Sequence, residues 1–304
     1  MAYVNPFDLL EVGAPGQLDT AQLKREKKRL MAEFELSGEV EIAVGEHRLD
    51  KATLLKLFEE LEDPEQRSYH AEVAARPMLQ KFLTEASLDL FYEAKVGELA
   101  GLHPDFLRWL GSHFAVSFNR RLVHALRQQD LEETQVLCRE PLPIPTAYQA
   151  ACFQDSYRYL HQQVEEVENL AKGIEKGKKP SGRVQEVCDE MFIDLLNALP
   201  AYFDGVRDRY GLALENLALV VQNQHQRTQL SLFIVRQGLK IQLSEDTHRR
   251  LKYVLEQLLK LAPVEEFMET LTGTGEEAKR KRQGLWWWAV GVGAAIVLLA
   301  KWLL

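Results

Sequence analysis

The sequence predicts a mainly all-α protein that ends in one transmembrane helix, and three observations support this fold class. Apolar residues recur at three- and four-residue intervals over most of the chain, which is the period of an amphipathic helix. Alternating apolar residues occur at 40–44, a length that suits one small β-hairpin. The last stretch, 284–304, holds a single charge, Lys301. As a helix it would reach about 30 Å, the thickness of the hydrocarbon core of a bilayer.

These patterns divide the chain into four predicted segments. An N-terminal module takes residues 1–72. A helical body follows at 73–270, packed as an antiparallel bundle or as an array of helical hairpins. A basic juxtamembrane linker at 271–283 leads into the tail anchor at 284–304.

Composition describes an ordinary folded protein with an acidic balance. The chain has 304 residues, of which 27% are charged and 46% hydrophobic, so a disordered chain is excluded. The formal net charge of −8 argues against a general nucleic-acid binder, which needs a basic face for the phosphates. Cys138, Cys152 and Cys188 are widely spaced and fit a reducing compartment. The N-terminus lacks the features of a signal peptide, which predicts a cytoplasmic body.

The N-terminal module reads as short helices around the predicted hairpin. Pro6 opens a short helix, and Asp19 offers an N-cap for a helix that runs to about Leu36. Asp50 precedes the next helix, and Pro64 begins another. The expected buried positions are Leu23, Leu30, Met31, Phe34, Leu54, Leu55, Leu57, Phe58 and Leu61.

The outer face of the second of these helices is strongly basic. It carries Lys24, Arg25, Lys27, Lys28 and Arg29, with Glu26 as the only acid among them. A solvated helix face is one interpretation, because exposed lysine-rich faces are common. The other is a docking surface for an acidic partner, recognised by charge complementarity.

Two motifs of this module carry a resemblance to a known family. The run Asn5-Pro-Phe-Asp-Leu-Leu-Glu-Val12 resembles the opening N-P-Y-x-x-L-G-V of J domains. The run Asp63-Pro-Glu-Gln-Arg-Ser-Tyr69 is similar to the closing S-D-P-x-x-R-x-x-Y of that family. The resemblance covers roughly residues 3–72 and implies a J-like fold. It also implies that the basic helix is the side that faces a heat-shock chaperone.

The sequence departs from the family at the residues that stimulate the chaperone. J domains carry a His-Pro-Asp tripeptide after the basic helix, and that tripeptide would fall at Glu35-Leu-Ser37. The resemblance therefore implies a J-like module without its activating residues. A literal His103-Pro104-Asp105 lies well beyond the closing motif, where Pro104 just inside the next helix explains it.

The body from Pro77 to about Leu271 reads almost entirely as helix. The clearest stripe runs from Val184 to Leu199, where apolar residues recur at i, i+3, i+4 and i+7 and predict one helix. A polar loop is expected at 173–182, between this helix and the preceding one. Ser244 is the expected N-cap of the last helix of the body.

No motif in the sequence predicts catalysis, a cofactor or a metal site. The sequence contains no HExxH pair, no GxSxG and no glycine-rich phosphate loop. The histidines are never three or four residues apart, so we expect scattered histidines on helix surfaces rather than a ligand set. They are His47, His70, His103, His113, His124, His161, His225 and His248.

The C-terminal stretch has the signature of a membrane anchor. Basic residues precede it, aromatic residues stand at both ends, and Lys301 can reach the far headgroups. The residues expected at the membrane interface are Lys279, Arg280, Lys281, Arg282, Trp286, Trp287, Trp288, Lys301 and Trp302. Pairs of small residues in the span would permit homo-oligomers through close helix pairing.

Three functional hypotheses follow from the sequence. The first is a tail-anchored membrane adaptor that presents a J-like module and a helical body to cytosolic protein partners. The second is a membrane co-chaperone that binds a heat-shock ATPase, and the third is an enzyme with its site between bundle helices. The expected partners are the lipid bilayer and cytosolic proteins, without nucleic acid. Because no sorting signal is recognised, a bacterial inner membrane is favoured.

Overall fold

The computed structural model describes residues 3–10, 19–38, 40–44, 47–93, 95–180 and 182–272. These residues are predominantly helical, as predicted. The chain divides into two compact units, unit 1 with residues 1–160 and 198–200 and unit 2 with residues 161–197 and 201–304. The module boundary expected after residue 72 falls within unit 1 and stays a prediction.

The first part of unit 1 contains the predicted short helices and the hairpin. A 3₁₀ turn at Pro6–Leu9 precedes the first α-helix. The elements that follow are α1 (Thr20–Ser37), β1 (Glu41–Val44), β2 (His47–Asp50), α2 (Lys51–Glu62) and α3 (Pro64–Ala74). The two strands pair antiparallel, with Ile42 opposite Leu49, so the predicted hairpin is confirmed.

Aspartates at the helix starts determine where these helices begin. Asp19 forms a capping box on α1, accepting from the backbone N–H of Gln22 at 2.7 Å. Asp50 accepts from the N–H of Thr53 at 2.7 Å and so caps α2. Asp63 caps α3, whose first residue is Pro64. The sequence expectations for these three starts are confirmed.

A common apolar core joins these elements. Leu23 and Leu30 of α1 are buried against residues of α2, where Leu54 and Phe58 are at most 1% exposed. Burial of one such side chain contributes about 1.5–3 kcal/mol. The complete buried cluster is Val4, Leu10, Leu23, Leu30, Phe34, Leu49, Leu54, Leu57, Phe58 and Leu61. This core fixes α1 against α2 and leaves the opposite face of α1 to solvent.

The rest of unit 1 is built around one long helix. The elements are α4 (Pro77–Glu85), α5 (Asp89–Tyr92), α6 (Val96–Leu99), α7 (Pro104–Gln128), α8 (Leu131–Cys138), a 3₁₀ turn (Thr146–Tyr148) and the first part of α9 (Gln149–Glu175). Helix α7 begins at Pro104, and the His103 ring accepts from the N–H of Asp105 at 3.3 Å. The His103-Pro104-Asp105 sequence is therefore a helix start, as predicted.

Phenylalanines from several helices pack on α7. Phe114 lies 4.9 Å from Phe82 and 5.9 Å from Phe118, between ring centroids. Gly111 on the same helix permits a close approach of Tyr148, whose Cδ2 would lie 2.5 Å from an added Cβ. The tight packing fixes the position of α7, which carries residues of the cavity described below.

The described part of unit 2 consists of the end of α9, a 3₁₀ turn at Ala201–Phe203 and five α-helices. They are α10 (Arg183–Glu186), α11 (Glu190–Ala198), α12 (Asp204–His225), α13 (Thr228–Gly238) and α14 (Glu245–Thr272). Helices α12, α13 and α14 pack against one another. Ser244 accepts through its Oγ from the N–H of Thr247 at 3.5 Å, which agrees with its predicted role at the start of α14.

The single helix predicted from Val184 to Leu199 is wrong, because the structure has two helices there. Asp189 interrupts the stripe, since its carboxylate accepts from the N–H of Phe192 at 3.4 Å in the manner of a new N-cap. The Tyr210 hydroxyl donates to the carbonyl of Val187 at 2.7 Å and satisfies a backbone group freed by the break.

The predicted tail anchor lies outside the described residues. Among the helices that the structure does describe, none combines the length and the apolar character needed to cross a bilayer. The linker at 271–283 is described only as far as Thr272.

Candidate functional site

The predicted basic face of α1 separates into two groups of residues. Lys24, Arg25 and Lys28 are exposed. They lie one helical turn or less apart, so they form one patch on the outer face of α1. Within the described ranges none of the three takes part in an ion pair. We call Lys24, Arg25 and Lys28 the α1 basic patch.

The other two predicted cations have acidic partners within the module. Lys27 Nζ lies 2.8 Å from Glu62 Oε1 of α2. Arg29 Nε lies 2.9 Å from Glu26 Oε2, one turn earlier on α1. Exposed pairs of this kind contribute about 0–1 kcal/mol each. Because acidic side chains nearby compensate their charges, Lys27 and Arg29 attract an acidic partner protein less strongly than the patch residues do.

The charges on α1 run against the helix macrodipole. Positive side chains stabilise a helix near its C-terminus and negative ones near its N-terminus. On α1 the patch begins in the second turn, at Lys24 and Arg25, while Glu33 and Glu35 lie towards the end at Ser37. The helix has no acidic residue in its first turn and no basic residue in its last. Because the dipole acts mainly on the end turns, and Asp19 complements it at the N-cap, the cations from Lys24 onward have little effect on the stability of the helix.

The residues at the position of the family's His-Pro-Asp tripeptide belong to the helix itself. Helix α1 continues through Glu35 and Leu36 to Ser37, and Gly38 ends it with φ of 63°. The Leu36 side chain is 88% exposed. The described hairpin β1–β2 then leads to α2, and the backbone at 35–37 is helical.

The membrane-interface residues predicted from the sequence lie outside the described residues. They are Lys279, Arg280, Lys281, Arg282, Trp286, Trp287, Trp288, Lys301 and Trp302. Their roles stay predictions.

A second candidate site, which the sequence did not predict, is a small cavity in unit 1. Its volume is about 290 Å³. We call it the Tyr3–His70 cavity, and its lining residues are Tyr3, Val4, Thr53, Lys56, Leu57, Glu60, His70 and His113. They come from the N-terminal segment and from α2, α3 and α7.

A chain of hydrogen bonds forms one wall of the cavity. The Tyr3 hydroxyl lies 2.9 Å from His70 Nδ1, and His70 Nε2 lies 3.2 Å from Glu60 Oε2. The Glu60 carboxylate can only accept, so it takes the proton on Nε2, and Nδ1 then accepts from Tyr3. Both ring nitrogens of His70 are thus bonded. At 1% exposure it is a buried histidine, contrary to the predicted position on a helix surface.

Aromatic rings of α7 complete this wall. The Tyr3 ring meets His113 edge-on, with 5.2 Å between the centroids. Trp109 lies 4.9 Å from both His70 and His113, again between centroids. The rings hold the N-terminal segment against α3 and α7.

Comparison of the chain with known protein families, with curated proteins and with solved structures finds no match. The function of this chain is therefore inferred from its own residues and their geometry.

Burial determines the protonation states in the cavity. Burial, and after it the neighbouring His70, lowers the pKa of His113 to about 4, so His113 is neutral at pH 7. Burial alone would raise the pKa of Glu60, but the hydrogen bond from His70 and the nearby Lys56 lower it overall. Burial also raises the pKa of Tyr3, with Asp8 adding to the effect. At neutral pH His113 is therefore neutral and Tyr3 keeps its proton, beside an ionised Glu60.

The cysteines do not provide a reactive nucleophile in the described part of the chain. Burial raises the pKa of Cys138, Cys152 and Cys188 to about 12 in each case. A thiol with such a pKa carries almost no thiolate at pH 7, and the thiolate is the reactive form. These residues pack as small apolar groups, in agreement with the buried Cys188 on the helical stripe.

The cavity was missed because its residues are distant in sequence. Tyr3 and His70 are separated by 67 positions, and Glu60 and His70 lie on different helices. Sequence motifs for metal ligands and catalytic residues relate positions within one helix or loop. They therefore cannot predict a contact between residues that are far apart in the sequence. The position of Tyr3 just before the Asn5–Pro6 helix start was the only local signal.

Proposed function

We propose that this chain is a membrane-held adaptor that binds an acidic cytosolic protein through the α1 basic patch. The observation that carries the proposal is the patch itself. Lys24, Arg25 and Lys28 are exposed and unpaired among the described residues. Unpaired charges on one rigid face suit electrostatic recognition of a partner.

The J-like character of the module is part of the proposal. The motifs at Asn5–Val12 and at Asp63–Tyr69 support it. So does the basic helix α1, which lies between the two motifs in the sequence and packs on α2. In that family the basic helix faces the heat-shock chaperone. The residues Glu35–Ser37 replace the activating tripeptide, which favours an adaptor that binds without stimulating ATP hydrolysis.

The membrane location rests on the sequence of the tail. The apolar span 284–304, the basic run 279–282 and the tryptophans at both ends support an anchor with the body in the cytoplasm. The anchor would keep the patch close to the membrane surface and so limit the partners that it meets. A bacterial inner membrane remains the favoured location, and small residues in the span permit homo-oligomers.

An ATPase assay separates the adaptor from the co-chaperone alternative. The full-length protein is added to a heat-shock ATPase of the same cell, and phosphate release is measured with and without it. We expect no stimulation, because the His-Pro-Asp tripeptide is missing at Glu35–Ser37. Stimulation that disappears in a Lys24→Glu/Arg25→Glu/Lys28→Glu variant would instead establish the co-chaperone.

The control for this assay reverses the same number of charges elsewhere. Arg236, Lys252 and Lys260 are exposed cations of unit 2. Their replacement by glutamate changes the net charge equally and leaves the α1 basic patch intact. An effect common to both triple variants would show a response to net charge, whereas docking requires an effect of the α1 variant alone.

A further inference from the structure

The Tyr3–His70 cavity lies apart from the α1 basic patch, because none of its lining residues belongs to α1. Its volume of about 290 Å³ is close to the lower end for ligand pockets, which is roughly 300 Å³. A molecule of one or two rings therefore fits it, and a nucleotide or a peptide does not.

The lining carries no net formal charge. Lys56 Nζ lies 3.7 Å from Glu60 Oε1, so the one cation and the one anion compensate each other. Both ring nitrogens of His70 are already engaged, one by the Tyr3 hydroxyl and the other by Glu60. Glu60 would repel an anionic ligand, and Lys56 would repel a cationic ligand. An uncharged ligand avoids both repulsions.

The remaining surfaces of the cavity suit a flat aromatic ligand. Tyr3 and His113 present rings on one side, and Val4 and Leu57 contribute apolar side chains. Aromatic rings attract one another in edge-to-face or offset arrangements, worth about 0.5–1.5 kcal/mol beyond the area that they bury.

Glu60 has unused capacity to accept a hydrogen bond. Its Oε2 accepts from His70, while its Oε1 is 3.7 Å from Lys56, which is longer than a hydrogen bond. An ionised carboxylate accepts and cannot donate. A ligand that is complementary to it therefore brings an N–H group.

We infer that the Tyr3–His70 cavity binds a small, uncharged heteroaromatic molecule that carries one N–H donor, which is received by Glu60. The rings of Tyr3 and His113 hold the plane of the molecule, and the carboxylate fixes its orientation. The site is a binding site, and it involves no chemical change of the ligand.

The test uses indole as the probe, with the full-length protein. Binding is followed through the imidazole NMR signals of isotopically labelled histidine, and the His113 signal is identified from a His113→Gln variant. We expect indole to shift the His113 signal with saturation in the millimolar range or below. N-Methylindole lacks the donor and should bind about tenfold more weakly, the difference expected for one charge-assisted hydrogen bond.

A matched pair of variants tests the role of Glu60. Glu60→Gln keeps an acceptor for His70 but removes the charge, and it should weaken indole binding about tenfold. Glu59→Gln changes an exposed neighbour on α2 and should leave binding unchanged. The comparison of indole with N-methylindole uses wild-type protein, so it holds even where Glu60→Gln does not fold.

Several results would overturn the inference. One is a His113 signal that does not respond to indole at millimolar concentration. Equal binding of indole and N-methylindole would refute the hydrogen bond to Glu60, as would unchanged binding by a folded Glu60→Gln variant. Tighter binding of benzoate than of indole would assign the cavity to anions instead.

Discussion

Lys24, Arg25 and Lys28 differ from Lys27 and Arg29 in forming no ion pair among the described residues. Sequence alone placed all five cations on one face, because a helix of known period can be read directly. It could not reveal which of them were compensated, since Glu62, the partner of Lys27, lies on the next helix. Spatial pairing across helices thus reduces the candidate patch to three residues.

A second residue-scale feature is the neutral, partly buried His113. Its pKa falls from about 6.5 in an unfolded chain to about 4 in the folded protein. As the pH falls through this window, the unfolded state takes up the proton first, so stability is lost. The loss begins near pH 6.5 and is complete below about pH 4.

We predict that acidification from pH 7 to pH 5 costs the wild type about 2 kcal/mol more than a His113→Gln variant. The measurement is the free energy of opening of α7, from hydrogen exchange of peptides within Pro104–Gln128 in the full-length protein. His124→Gln, at an exposed histidine of the same helix, is the control and should follow the wild type. Parallel pH profiles for wild type and His113→Gln would refute the neutral, partly buried state.

At the scale of elements, helix starts were predictable and one helix break was not. Asp19, Asp50 and Pro64 act locally, within a few residues of the group they cap, so the sequence reveals them. The break after Glu186 depends on the Tyr210 hydroxyl of another helix, which bonds the carbonyl of Val187. A tertiary hydrogen bond of this kind does not change the spacing of apolar residues in the sequence. The sequence therefore predicts one helix where the structure has two.

The orientation of the α1 basic patch depends on the N-cap of α1. Asp19→Ala removes the bond to Gln22 N–H and should cost about 1 kcal/mol. We predict about fivefold faster hydrogen exchange in the first turns of α1, which corresponds to that free energy. Asp50→Ala removes the equivalent cap of α2 and serves as the control, with its effect confined to Lys51–Glu62. Unchanged exchange in α1 would show that packing alone holds the helix start.

At the scale of the whole molecule, we propose a cytosolic body that is held at the membrane by a C-terminal anchor. The body, with its two compact units, supplies the α1 basic patch and the Tyr3–His70 cavity. The all-α class followed from periodicity alone, because most of the chain repeats one local pattern. The cavity did not, because its walls come from distant parts of the sequence that only the folded chain brings together.

The predicted anchor can be tested by placing charges within its apolar span. Ile296→Arg/Val297→Arg places two charges in the middle of the predicted span, at a cost of about 2.5–3.5 kcal/mol each. We expect the full-length variant to be extracted from membranes by alkaline carbonate, under conditions that leave the wild type in the pellet. Gln283→Arg, just before the span, is the control and should stay with the membrane. Retention of the double variant would show that the tail is not the anchor.

The central claim is that the α1 basic patch binds an acidic protein partner. The most direct measurement is crosslinked capture of partners by the full-length protein in its own membrane, quantified by mass spectrometry. The wild type is compared with Lys24→Glu/Arg25→Glu/Lys28→Glu and with the matched Arg236→Glu/Lys252→Glu/Lys260→Glu control. We predict that an acidic partner is lost by about tenfold or more in the α1 variant and retained in the control. Equal capture of every partner by all three proteins would contradict the account.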